Sequence, residues 1–149
     1  MFNDREKVET ILRHVRRVEN NCVTIALKLL DTDPKFAREL IQRGREHDLS
    51  KLDPFEFEHL WSWDDKFKEA LIQHREFNSH HPEHYTQGVS AMTDLDIAEM
   101  VADCKARSEE FGTDIQLWFS NPFYKPIWSS IQKYLDLLLY KKFEYPKLN

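Results

Sequence analysis

The chain has 149 residues, 41% of them hydrophobic and 13% aromatic, so it is long enough to bury one core and too apolar to be disordered. We therefore predict a single domain over residues 1–149. A formal net charge of −5 gives no general attraction for nucleic acids or anionic membranes. The first residues are charged, and no segment has the length and hydropathy of a membrane span. The two cysteines form no disulfide or zinc pattern. We therefore expect a cytoplasmic protein.

The first half of the chain has the apolar spacing of amphipathic helices. Only three glycines occur, and no stretch alternates with the period of a strand. Apolar residues recur in steps of three and four over residues 4–30, which predicts one long helix. Asp-Pro pairs at 33–34 and 53–54 are typical of helix starts. They predict a second helix that runs towards His47 and a short third helix.

The second half predicts further helices separated by breaks. We expect a fourth helix over residues 64–77, an ordered loop over 78–90, and a fifth helix between a Thr cap and a Gly at 93–112. Prolines precede a last helix, which lies in a C-terminal extension over 111–149. The predicted fold class is thus all-α, with six to seven helices. The tail beyond residue 140 is expected to dock through Phe143 and Tyr145.

A His-Asp pair, His47-Asp48, is the strongest functional signal. Two adjacent side chains reach one metal only where the backbone turns them together, as at a helix end. His14 lies near the apolar stripe of the first helix and is either an inward-facing ligand or a histidine at the edge of the core. Lys51, one helical turn after Asp48, is either a surface lysine or a cation that binds an anionic oxygen polarised by the metal.

More nitrogen and oxygen donors follow along the chain. His74 stands one turn before a loop that opens with His80-His81, and two consecutive histidines seldom serve packing alone. Asp96, Glu99 and Asp103 share one face of the fifth helix, which is either a solvated acidic face or a set of buried carboxylates that need partners. Such donors suit a transition metal rather than a thiolate zinc site. Two other histidines are expected at the surface or behind the ligands: His59 and His84.

With these residues, the chain resembles the HD-domain superfamily of metal-dependent phosphohydrolases. That pattern is a His on one helix, a His-Asp pair on the next, and an Asp on a later helix, here His14, His47-Asp48 and Asp103. The resemblance covers about residues 10–110 and implies a single HD-like helical bundle. The chain also looks like a small, poorly characterised family of phage and bacterial proteins with the strings HDLSK, Asn-x-His-His and EMVAD.

The string at residues 47–51 is similar to the His-Asp-x-Gly-Lys of the cyclic-dinucleotide phosphodiesterase branch. The additional histidines of that branch match His74, His80 and His81. Ser50 departs from the glycine of that string. The His80-His81 block lies only six residues after His74, closer than in that branch, and the Gly-Tyr-Pro of the branch is absent. These last two departures argue against a cyclic-dinucleotide substrate.

The resemblance implies hydrolysis of a phosphate ester, such as a nucleotide, with one or two divalent ions of Mn, Fe, Co, Ni or Zn. Asp48 and Asp103 would hold metal, one of them orienting the attacking water, and Lys51 would stabilise charge on the phosphate. His14, His47, His74, His80 and His81 would complete the ligands. Three aromatic residues are candidates for a base-stacking wall or for core packing: Trp61, Trp63 and Tyr85.

Two other functions remain open at this point. Related folds with histidine-rich sites hold two irons and activate oxygen, for which six or seven such donors suffice. The alternative is a metal-stabilised interaction protein without turnover, with exposed aromatic residues around 118–128 as its surface. The sequence is compatible with a monomer and with a homo-oligomer.

Overall fold

The computed structural model describes residues 2–139, and these residues are all-helical, as the periodicity predicts. They contain no strand. The predicted docking of the tail through Phe143 and Tyr145 lies outside the described residues. The α-helices are α1 (Asp4–Leu29), α2 (Pro34–Glu46), α3 (Pro54–His59), α4 (Phe67–Phe77), α5 (Asp94–Phe111), α6 (Ile115–Phe119) and α7 (Trp128–Leu138), and short 3-10 helices occur at Leu49–Leu52, Pro82–His84, Gly88–Ala91 and Pro122–Ile127.

Side-chain caps set the starts of α1 and α2. Asn3 and Glu6 form a capping box at the start of α1. The Asp33 carboxylate accepts a hydrogen bond from the backbone N–H of Phe36 at the start of α2. Each such cap stabilises a helix by about 1 kcal/mol. The first two helices therefore begin where the sequence predicts.

The core is built on α1, which packs against α2, α5 and α7. Gly44 allows α2 to approach α1 closely, because a Cβ there would lie 2.8 Å from the Cβ of Cys22. Cys22 is a buried free thiol as expected from a small apolar side chain, and Cys104 is free and partly buried. The close packing brings the end of α2 beside the inward face of α1, where His14 is buried.

The structure departs from the predicted elements around α4 and α6. The fourth helix begins at Phe67 rather than at residue 64, because the Asp64 carboxylate accepts from the N–H of Lys66, two residues on, and from the ring of His59. The sequence interpretation missed α6, whose first turn is capped by Asp114. Among the described residues no helix is both long and apolar enough to cross a membrane.

Candidate metal centre

The backbone of Asp48, just after α2, has a left-handed conformation that places both side chains of the His-Asp pair in the same region. Asp48 has φ 54° and ψ 20°, a conformation that Asp tolerates better than most non-glycine residues. The helix therefore stops at Glu46, and the side chains of His47 and Asp48 are both buried. The 3-10 helix Leu49–Leu52 follows and carries Lys51 back towards the pair.

The structure brings together all seven residues that the sequence proposes as ligands. They form three groups in which the candidate donor atoms lie within 4.8 Å of one another. Because two residues belong to two groups each, the three groups make one continuous cluster. The groups are His14, His47 and Asp103; His47, Asp48 and His80; and Asp48, His74 and His81. These buried groups could hold a metal ion.

Short distances between Nε2 atoms and carboxylate oxygens define the centre of the cluster. Asp103 Oδ1 lies 2.9 Å from His14 Nε2 and 3.6 Å from His47 Nε2. Asp48 Oδ1 lies 3.3 Å from His74 Nε2 and 3.4 Å from His80 Nε2. His47 and His80 each lie near both carboxylates, because His47 Nε2 is also 3.4 Å from Asp48 Oδ2 and His80 Nε2 is 3.4 Å from Asp103 Oδ2.

Several of these central atoms are buried without a hydrogen-bond partner among the described residues. They are the Nε2 atoms of His14, His47 and His80 and the Oδ1 atoms of Asp48 and Asp103. Close approach alone does not satisfy them, because none of these contacts has the geometry of a hydrogen bond. Unsatisfied buried polar atoms cost about 1–3 kcal/mol each, so five in one place indicate a missing partner. Nitrogen and oxygen donors that face a common point fit a divalent metal ion.

A second layer of carboxylates fixes the orientation of the histidine rings. His14 Nδ1 lies 2.8 Å from Glu110 Oε1, and His74 Nδ1 lies 2.7 Å from Glu56 Oε1. Partners of this kind on Nδ1 leave Nε2 free to bind metal. The sequence interpretation missed both glutamates. Glu110 had a usable signal, since it lies two helical turns after Asp103 on the same face of α5, whereas the tertiary fold alone brings Glu56 to His74.

Glu99 contacts the ring nitrogens of two of the histidines. Its Oε1 lies 2.9 Å from His47 Nδ1 and 3.2 Å from His80 Nδ1. Arg43 holds the other oxygen, with its Nε 2.5 Å from Glu99 Oε2. The solvated-face alternative is therefore wrong for Glu99, which is buried behind the centre.

Asp96 anchors a polar network next to Glu99. Its Oδ1 accepts hydrogen bonds from Arg43 Nη2 at 2.8 Å and from Ser79 Oγ at 2.6 Å. The Tyr85 hydroxyl donates to Asp96 Oδ2, and Asp96 also closes the capping box of α5 with Thr93. Asp96 is 1% exposed, so it supports the structure of this network and is not part of a solvated face.

The carboxylates of the centre are held in their ionised form. Burial alone would raise the pKa of Asp48, but the charges of His47 and Lys51 outweigh burial and bring that pKa well below its usual value. Burial also raises the pKa of Asp103, and the charge of His47 again lowers it well below normal. Ionised carboxylates are the form that binds a cation.

The histidines differ in their preferred charge. Burial lowers the pKa of His47, but the attraction of Asp48 and Asp103 raises it well above the usual value. Burial and the charge of His47 lower the pKa of His80, and contacts that include Asp103 raise it to about 9. Burial and the charge of His80 lower the pKa of His81 to about 3. Without a metal, protons on His47 and His80 thus balance the carboxylates, and a bound cation would replace them.

Lys51 lies at the edge of the centre, beside open space. Its side chain is only 17% exposed, so the surface-lysine alternative is wrong. A cavity of about 570 Å³ borders Lys51, His14 and His74, and a second cavity of about 300 Å³ borders Asp48 and Asp103. Both volumes are sufficient for a small-molecule ligand.

A protein-family model matches the part of the chain that holds four of the seven candidate donors. Residues 58–136 match the model of a family of unknown function, DUF5662. The chain belongs to this family. No curated protein and no solved structure matches the chain. The matched range holds His74, His80, His81 and Asp103, whereas His14 and the His-Asp pair precede it.

The remaining candidates of the sequence lie outside the cluster of donors. His59 is buried, so it does not lie at the surface. Its Nδ1 lies 2.7 Å from Asp64 Oδ2, and His59 belongs to none of the donor groups. His84 is exposed, as expected, and its ring contacts the carbonyl of Arg75. Trp63 is 78% exposed, which makes the core-packing expectation wrong for this residue.

Proposed function

We propose that this protein is a metal-dependent phosphohydrolase of the HD type, acting on a nucleotide or another small phosphate ester. The observation that carries the proposal is the set of five unpartnered, buried donor atoms that face one another beside an open cavity. The order of donors along the chain supports it: His14 on α1, His47-Asp48 after α2 and Asp103 on α5. A merely structural metal site is closed, whereas a catalytic site keeps access for water and substrate.

The donor set favours one or two divalent ions of Mn, Fe, Co, Ni or Zn. Imidazole nitrogens and carboxylate oxygens suit these metals, and none of the groups in the described residues includes a thiolate. Asp48 belongs to one group with His47 and to another with His74, so its carboxylate is suited to be shared by two ions. The glutamates on the histidine Nδ1 atoms add the outer layer that metal centres commonly need.

The residues around the cavity supply what phosphate-ester hydrolysis requires. A bound divalent metal would polarise a phosphoryl oxygen and lower the pKa of a nearby water. Asp48 and Asp103 would hold the metal, and one of them would orient the water for attack and accept its proton. Lys51 binds a phosphate oxygen and stabilises the charge that develops there. The oxygen of water bonds to phosphorus, the ester P–O bond breaks, and the leaving oxygen takes up a proton from solvent.

Metal analysis followed by a phosphate-release screen tests this proposal. Purified protein should contain a stoichiometric transition metal and release inorganic phosphate from at least one nucleotide or small phosphate ester. His47→Ala and Asp48→Ala should lose both metal and turnover, whereas His84→Ala, at an exposed histidine away from the centre, should keep both. Wild-type protein that is fully metal-loaded yet releases no phosphate from any tested ester would refute the proposal.

The sharing of Asp48 between donor groups favours one second candidate, a di-iron enzyme that activates oxygen. A carboxylate that serves two ions is equally suited to a pair of irons. Anaerobic loading with ferrous iron, followed by exposure to oxygen, separates the two functions. An oxygenase would consume oxygen with a change in its iron absorption spectrum, and a phosphohydrolase would release phosphate without oxygen.

A further inference from the structure

The larger cavity is lined by residues of two chemical kinds. His14, His74 and His81 belong to the donor cluster, and Lys51 lies beside it. A second set of lining residues is apolar and largely aromatic. These apolar residues are Phe2, Leu60, Trp61, Leu71 and Phe111. A ligand that fills the cavity can therefore place a polar group at the donor cluster and an apolar group against this apolar lining.

Trp61 is the one tryptophan that lines this cavity, and its polar atom has no partner. The Trp61 Nε1 atom is buried and makes no hydrogen bond within residues 2–139. Its ring is held edge-to-face against Phe2, with 5.5 Å between the centroids. A buried indole N–H normally donates to an acceptor, so an acceptor atom of a ligand that reached Nε1 would be stabilised there.

The charges on the cavity wall limit how much phosphate it accommodates. Lys51 is paired with Asp48 at 2.9 Å, and Arg107 is paired with Glu110 at 3.1 Å. Arg13, which is exposed, makes no ion pair among the described residues. Arg13 is thus the one lining cation without a carboxylate partner among the described residues, and this small excess of positive charge suits one phosphoryl group better than the several charges of a polyphosphate chain.

We infer that the substrate is a phosphomonoester whose leaving group carries a flat aromatic ring, and that Trp61 positions this ring against the apolar lining of the cavity. This inference rests on the proposed function and narrows its substrate class. Simple aryl phosphates and nucleoside monophosphates both have this chemistry. A small alkyl phosphomonoester leaves the apolar lining without a partner, and a nucleoside triphosphate brings more charge than the lining balances.

Binding of phosphonates that cannot be hydrolysed tests the inference without requiring turnover. The probes are methylphosphonate, phenylphosphonate and the methylene-phosphonate analogue of adenosine monophosphate, titrated calorimetrically into metal-loaded protein. Stacking of one ring predicts that both ring-bearing probes bind roughly 10-fold more tightly than methylphosphonate. Trp61→Leu should remove this advantage and leave methylphosphonate affinity unchanged. Trp61→Phe should keep it for phenylphosphonate and reduce it for the adenosine probe, whose ring nitrogens are acceptors.

Trp118 is the matched control. It lines the second cavity, and its Nε1 already donates to Thr113 Oγ1 at 3.1 Å. Trp118→Leu removes the same side chain and should leave all three affinities unchanged. If Trp118→Leu removes the ring advantage and Trp61→Leu does not, the ring lies in the second cavity and the inference is wrong. Equal affinity of all three probes for wild-type protein would also overturn it.

Turnover distinguishes a failure of this inference from a failure of the proposed function. Phenyl phosphate and glycerol phosphate are compared as substrates, with the KM of each measured for wild type and Trp61→Leu. The inference predicts a KM increase of about 10-fold for phenyl phosphate only. Equal hydrolysis of both esters, with equal KM values, would overturn the inference and keep the phosphohydrolase. Tight phosphonate binding without any phosphate release would overturn the phosphohydrolase and keep the ring site.

Discussion

Lys51 Nζ lies 2.9 Å from Asp48 Oδ2, one turn along the short helix that follows the His-Asp pair. The ammonium has no lone pair and therefore cannot bind a metal itself. It instead lowers the pKa of the buried Asp48 after the larger effect of His47. At the same time it borders the large cavity, which leaves its remaining N–H groups available to an anionic ligand.

This position predicts a large effect of Lys51→Ala on turnover and a small one on metal content. If a phosphate ester is the substrate, loss of the ammonium should reduce kcat by about 10²–10³-fold, as expected for one preorganised electrostatic donor. Lys51→Arg should restore only part of the rate, because the guanidinium is larger and planar. Phosphate release and metal content are measured in parallel, with Lys35→Ala, an exposed lysine on α2, as the control. Equal kcat values for wild type and Lys51→Ala would remove Lys51 from the mechanism.

Most of the fold could be predicted because the helix signals are local. Asn3, Asp33 and Thr93 cap helices through their own side chains, and Gly112 ends α5 in a left-handed conformation with φ 64°. Such interactions span only a few residues, so the sequence displays them directly. The observed start of α4 lies after the predicted one because Asp64 contacts His59, an interaction that depends on the turn between α3 and α4.

The site was predictable to the extent that its donors form recognisable strings. His47-Asp48 and His80-His81 stand out as adjacent pairs. The supporting carboxylates are harder to recognise. Glu110 is marked only by its place two helical turns after Asp103, and no local signal marks Glu56, because the tertiary fold alone brings it to His74. The sequence also does not show whether Trp61 belongs to a base-stacking wall or to the core, because only the packing shows that its ring lines a cavity.

Metal should contribute measurably to the stability of the folded protein. Binding to the native state adds about 2.7 kcal/mol at a free metal concentration of 100 times Kd. A chelator should therefore lower the Tm of wild-type protein, and added metal should restore it. His47→Ala should show almost no Tm response to either treatment, while His84→Ala responds as wild type does. A wild-type Tm that is independent of metal and chelator would contradict the metal centre.

Glu99 is expected to tune metal affinity without touching the metal. Glu99→Gln keeps the size of the side chain but removes the charge that faces Arg43 and both His47 and His80. Changes in such outer partners typically cost about 10–100-fold in metal affinity. Competition with a chromogenic chelator measures the loss. Glu58→Gln, at a side chain that is 75% exposed, is the control. An unchanged affinity in Glu99→Gln would show that the ring orientations do not depend on this carboxylate.

The last prediction concerns Asp96 and the acid stability of the network around it. Burial raises the pKa of Asp96, but hydrogen bonds from Ser79, Tyr85 and Arg43 outweigh burial and lower it below the usual 3.8. A depressed pKa means that the ionised carboxylate stabilises the folded state. This contribution is fully present above about pH 4 and is lost as the pH falls through the folded-state pKa.

Asp96→Asn should therefore destabilise the protein most at neutral pH, by about 2 kcal/mol, the usual value of a buried hydrogen bond to a charged group. The difference from wild type should shrink steadily as the pH falls below about 4, because wild-type Asp96 then loses its charge as well. Urea unfolding from pH 7 to pH 3 in the presence of a chelator measures this difference and keeps metal release out of the comparison. Asp94→Asn changes an exposed carboxylate in the same helical turn and should give a small difference at every pH. A destabilisation by Asp96→Asn that stays constant from pH 7 to pH 3 would show that the charge of Asp96 does not hold the network together.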